Sequence, residues 1–198
     1  MAKTDPDASK RERNKTIQWV VTIFFVTILV SGLISLVSDE VMENSSIGVA
    51  FLILLVIIFL GIIFDIIGVA VTAADEKPFH SMAAKKVPGA QEAIRLLRSA
   101  ERVSSICNDV VGDICGVVSG SASATIALLV LNHVDVGWPR GVGLLMSALV
   151  AGLTVGGKAI GKTFAVNSCT QIVHAVGKLL WAIHNPRKIF RRKKQKTK

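Results

Sequence analysis

The chain has 198 residues, 51% of them apolar, and a formal net charge of +9. That length suits one domain and leaves no room for a second large one. The apolar residues gather in long blocks with Lys and Arg between them, which excludes an ordinary soluble domain and directs the positive charge toward a membrane surface rather than nucleic acid.

Residues 1–16 are polar and basic and read as a disordered tail. The first uncharged block, Ile17–Val37, is too long for the apolar core of a cleavable signal and reads as a membrane span. A short acidic loop, Ser38–Ser46, leads to a second span, Ile47–Thr72, interrupted only by Asp65. Residues 73–102 are charged and contain Pro78 and Pro88. Beyond Pro88, Ala90, Ala93, Ile94 and Leu97 recur at helical spacing, which predicts a short amphipathic helix lying on the inner membrane surface.

The third span, Val103–Leu131, carries Asn108, Asp109 and Asp113 near its start. A turn over 132–140 contains Trp138-Pro139, and the Gly-rich fourth span, Gly141–Val166, carries Lys158 and Lys162. Ile172, Val173, Val176, Leu179, Leu180 and Ile183 mark a second amphipathic helix before Pro186 and a basic tail. The chain is therefore expected to be an all-α membrane protein of about four transmembrane helices plus two amphipathic juxtamembrane helices. Its segments are a basic tail (1–16), a first helix with its outer loop (17–46), the main transmembrane domain (47–186) and a second basic tail (187–198).

Basic residues set the expected orientation. Lys and Arg number five in 1–16, none in 38–46, six in 73–102, one in 132–140 and nine after Val166. The alternation places both termini in the cytoplasm of a multi-pass cell-membrane protein, with the basic tails on anionic lipid. Trp19 and Trp138 fall at span ends, where interfacial aromatic residues sit.

Ionisable groups inside the bilayer carry the functional signal, because each costs about 2.5–3.5 kcal/mol at a helix centre and needs a partner. Helical rise places Asp65 about 10 Å, Asp109 about 9 Å, Asp113 about 15 Å and Lys158 about 12 Å from the inner ends of their spans. These depths predict one layer with three acids and one base. Asn108 adds a carbonyl oxygen, and such oxygen donors suit a hard cation such as Mg²⁺. The competing reading is a structural ion pair of Lys158 with one carboxylate, another Asp being protonated or wet. Stripes of small residues, Gly112/Gly116/Gly120/Ala124 and Ala148/Gly152/Gly156, predict close helix contacts, and Gly156, Gly157 and Gly161 predict a loosened helix beside Lys158.

Other motifs point nowhere definite. Gly156 to Thr163 matches the phosphate-loop pattern but ends an apolar span instead of following a strand, so nucleotide binding is not expected. His80, His133, His174 and His184 are scattered, and Cys107, Cys115 and Cys169 show no metal-ligand spacing, so catalysis is not expected.

From about Gly61 to Pro186 the chain resembles the transmembrane domain of the CorC/cyclin-M (CNNM) family of magnesium transporters. The likeness rests on Phe64 to Ala74, on Gly89 to Arg102 with its Leu-Leu-Arg-Ser-Ala-Glu-Arg, on Asn108 to Thr125, and on Gly157-Lys158-Ala159-Ile160-Gly161-Lys162-Thr163-Phe164-Ala165. The resemblance implies a homodimer holding a divalent cation in the inner half of the bundle. Its ligand positions fall on Asp65, on Gly112-Asp113 and on Gly157 with Lys158. At the last of these, Lys158 stands where the family has an acidic ligand, and the family's cytoplasmic regulatory modules have no counterpart here. Two functions follow as expectations: divalent-cation transport through intramembrane carboxylates, or a non-transporting scaffold or partner subunit whose site Lys158 closes.

Overall fold

The computed structural model describes residues 6–43, 45–133 and 138–184. Among these the chain is helices joined by short connections, with no strand. The helices are α1 (Pro6–Glu43), α2 (Ile47–Ala73), α3 (Lys77–Ala84), α4 (Ala90–Arg98), α5 (Ala100–Ser105), α6 (Asp113–His133), α7 (Pro139–Asn167) and α8 (Cys169–His184), and a π-helical segment, Ile106–Gly112, joins α5 to α6.

Four stretches are long and apolar enough to cross a bilayer: Thr16–Met42, Ile47–Ala73, Ala100–His133 and Pro139–Asn167. This is the all-α membrane architecture expected from the hydrophobic blocks. A helix closes all its backbone hydrogen bonds within the segment, which makes such a stretch tolerable in hydrocarbon. The third stretch has 34 residues, about 51 Å at helical rise, against a hydrocarbon core of about 30 Å. The stretch is therefore longer than a single perpendicular crossing needs.

The most apolar helix, α2, is central and packs against α1, α4, α5, α6, α7, α8 and the π segment. Two hydrophobic clusters lie along it. At one end Met42, Ala50, Leu54, Ile58, Ala122, Ile126, Met146 and Val150 pack together. At the other end Ala70 and Val71 of α2 meet Phe79, Ala93, Ile94, Leu97, Ala165 and Val173, so that α3, α4 and α8 form a collar around the end of α2. Asp65 lies between the two clusters.

Several expectations are corrected. Residues 6–16 are helical, not disordered, and α1 continues to Glu43, which takes up most of the expected Ser38–Ser46 loop. The helix α3 was not anticipated: Pro78 occupies its first turn, where a missing N–H costs nothing, and Phe79 is fully buried. The amphipathic helices α4 and α8 are present, and Ala90, Ala93, Ile94 and Leu97 are buried as their spacing predicts. They are buried against protein instead of lipid, since α4 packs on α8 and α3. Leu179 and Ile183 of α8 remain exposed, so this helix keeps an apolar outer face.

Glycine makes the α4–α8 contact. Gly89 has φ +86° and precedes α4, and a Cβ on it would run into the backbone of Lys178. A Cβ on Gly177 would lie 2.5 Å from the Gly89 carbonyl oxygen and 2.9 Å from the Ala93 nitrogen. The two backbones touch with no side chain between them. His174 Nε2 lies 3.3 Å from the Pro88 carbonyl oxygen and fastens the same junction. Residues 134–137 of the expected turn and the expected basic tail from 187 onward lie outside the described residues, as do residues 1–5, 44, 185 and 186.

Candidate functional site: a buried ion pair between two spans

Asp65 sits on the inward face of α2 and is only 4% exposed. Lys158 of α7 reaches it, with Nζ 3.6 Å from Asp65 Oδ1. The amine also lies 3.2 Å from where a Cβ on Gly112 would be, a position 3.4 Å from the Cys107 carbonyl oxygen and 4.0 Å from Asp65 Oδ1. Gly112 ends the π segment, so the absence of a side chain there makes room for the ammonium. In a low-dielectric interior the mutual attraction of such a pair works against the cost of taking both charges out of water, and removing either partner leaves the other buried and uncompensated.

Asn108 completes the cluster from the π segment. Its side chain fills the groove at Gly68, where a Cβ would collide with Asn108 Oδ1. Asn108 Nδ2 donates to Ser104 Oγ at 3.1 Å. Three buried polar atoms in this region have no hydrogen-bond partner: Asp65 Oδ2, Asn108 Oδ1 and Thr154 Oγ1. Thr154 lies one helical turn before Lys158 on α7 and so shares its face.

The expected layer of three acids does not assemble around Lys158. Asp109 and Asp113 are both exposed, and Asp109 Oδ2 accepts a 2.8 Å hydrogen bond from Ser105 Oγ on its own helix. Each follows a residue that faces α2, Asn108 and Gly112 respectively, and one residue is a turn of about 100° around the axis. Matching depth along the bilayer normal thus did not mean matching direction. Among the described residues no group of three or more His, Cys, Asp or Glu side chains is placed to hold a metal ion.

Gly157 and Gly161 lie at the contact of α7 with α2. A Cβ on Gly157 would collide with Ile62, and one on Gly161 would come within 2.8 Å of Ile66, so both glycines let α7 pack tightly on α2. The helix runs unbroken from Pro139 to Asn167, with no loosening beside Lys158. The phosphate-loop match falls inside this helix, where backbone N–H groups are already bonded and cannot cradle an anion. Among the described residues nothing lies within 4 Å of where a Cβ on Gly116, Gly120, Gly152 or Gly156 would be, so the glycines of these stripes leave open space instead of a close helix contact.

Sequence reasoning missed Gly68, Thr154 and the π segment. Gly68 lies three residues after Asp65, and so on its face, a signal that was there to read. A π turn inserts an extra residue and often marks a functional position, but no residue pattern announces it. Comparison with family models, curated proteins and solved structures gives no match.

Chemically the cluster holds one carboxylate, one ammonium and one amide. It offers no nucleophile paired with a base. It can hold a positive charge, and Lys158 supplies one.

Proposed function

We propose that this chain is a non-transporting scaffold or partner subunit of the cell membrane, in which Lys158 permanently closes a polar site between α2 and α7. The observation that carries this reading is the Lys158–Asp65 pair, with its 3.6 Å contact in the place where a bound cation would meet the carboxylate. The outward direction of Asp109 and Asp113 adds to it, because the site then lacks the acids needed to hold a divalent ion and Lys158 together. Both termini lie in the cytoplasm on this reading, which rests on the alternation of basic residues along the sequence. The open glycine stripes on α6 and α7 suit close approach by a second copy, a homodimer in keeping with the CorC/cyclin-M likeness.

A second reading, divalent-cation transport, draws support from the unpartnered Asp65 Oδ2 and Asn108 Oδ1, which are oxygen donors of the kind Mg²⁺ takes. On that reading Lys158 swings aside to admit the ion. The test is Mg²⁺ flux into proteoliposomes enclosing a Mg²⁺-sensitive dye. The closed-site reading expects the native chain to match protein-free vesicles, and expects flux to appear in Lys158→Glu. Flux by the native chain that disappears in Asp65→Asn supports transport and rejects the closed site.

A further inference from the structure

A different part of the molecule carries a ligand site of its own. An open crevice of about 790 Å³ separates the start of the apolar stretch of α1 from α5. Gln18, Trp19 and Thr22 line one wall and Glu101, Arg102 and Ser105 the other. Both walls belong to the beginnings of membrane spans, so the crevice opens at the level of lipid headgroups. Trp19, half polar and half apolar, suits that level.

The polar groups divide by sign. Arg102, the Gln18 amide and the Trp19 indole N–H are donors. The Thr22 hydroxyl already donates to the Gln18 carbonyl at 2.8 Å, and Ser105 Oγ already donates to Asp109 Oδ2 at 2.8 Å. Both hydroxyl oxygens therefore have lone pairs left to accept with, alongside the Glu101 carboxylate. A second crevice beside the first shares Glu101 and Arg102 and adds Arg98. Just beyond Ser105, Ile106 is exposed and apolar, a surface for acyl chains.

We infer that this crevice binds the headgroup of a zwitterionic aminophospholipid, with Arg102 on the phosphate and Glu101 on the ammonium. Adjacent opposite charges match a headgroup that carries both signs. A purely anionic headgroup would satisfy Arg102 but would face Glu101 with no cation to offer it. The inference is independent of the Asp65–Lys158 pair.

The test uses the full chain reconstituted with equal phosphatidylethanolamine and phosphatidylglycerol, extracted in mild detergent and examined by native mass spectrometry for retained lipid. The native protein is expected to keep phosphatidylethanolamine several-fold over phosphatidylglycerol. Arg102→Gln is expected to lower retention of both, and Glu101→Gln to lose the preference while still binding lipid. Both residues are exposed, so the fold tolerates the changes. Equal retention of the two lipids by the native chain, or retention unchanged in both variants, overturns the proposal. Binding of soluble glycerophosphoethanolamine as tightly as the lipid overturns the assignment to a membrane ligand.

Discussion

The two ends of α2 are packed by different physics. At the collar, α3, α4 and α8 bury Phe79, Ala93, Ile94, Leu97 and Val173 around Ala70 and Val71, and the other faces of α3 and α4 carry charge. This is the amphipathic packing of a water-soluble protein, driven by removal of apolar surface from water. At the opposite end Leu54, Ile58, Ile126 and Met146 meet between helices whose outer faces are also apolar. Lipid is as apolar as those side chains, so contact shape and internally satisfied polar groups must hold that end together. The buried serines of α6 follow this rule: Ser119 donates to the Gly116 carbonyl at 2.9 Å and Ser123 to the Gly120 carbonyl at 2.8 Å, within their own helix.

The contrast can be broken most severely at the collar. Phe79→Ala empties a fully buried aromatic site and is expected to cost about 3–5 kcal/mol, measured as loss of thermal stability in detergent. Between the two ends, Lys158→Met leaves Asp65 buried without its partner and is expected to cost about 3 kcal/mol. The double variant Asp65→Asn/Lys158→Met should recover most of that loss, and a double variant no better than the single one would show that the pair is not what the stability reads.

A smaller effect, about 1–3 kcal/mol, is expected for Gly177→Ala, because the new methyl group meets the backbone at Gly89 and Ala93 and two helices must separate to admit it. Smallest of all is Gly116→Ala, which enters open space and should change the stability of the single chain by less than about 0.5 kcal/mol. If the same change weakens self-association, seen as a shift in mass by light scattering, it locates the surface between two copies. Unchanged association would place that surface elsewhere.

Much of the architecture was legible in the residues. Long uncharged blocks give the spans, because a helix must match the thickness of the hydrocarbon core. The spacing of Ala90, Ala93, Ile94 and Leu97 gives the buried face of α4, because a helix repeats every 3.6 residues. Asp65 and Lys158 stood out as charges in apolar surroundings, each too costly to leave alone. What the spacing could not supply was direction. Asp109 and Asp113 share a depth with the ion pair, yet the π segment and the docking of Asn108 and Gly112 on α2 turn them away from it.

The sequence by itself determined that this chain crosses a membrane and that Asp65 and Lys158 each need an opposite charge, since both results follow from the cost of moving polar groups out of water, whatever the fold. Only the tertiary structure decided that they find each other and exclude the remaining acids. That choice depends on the rotation of each helix about its axis, which is fixed by contacts such as Gly68 with Asn108 and Gly157 with Ile62 between segments far apart in the chain.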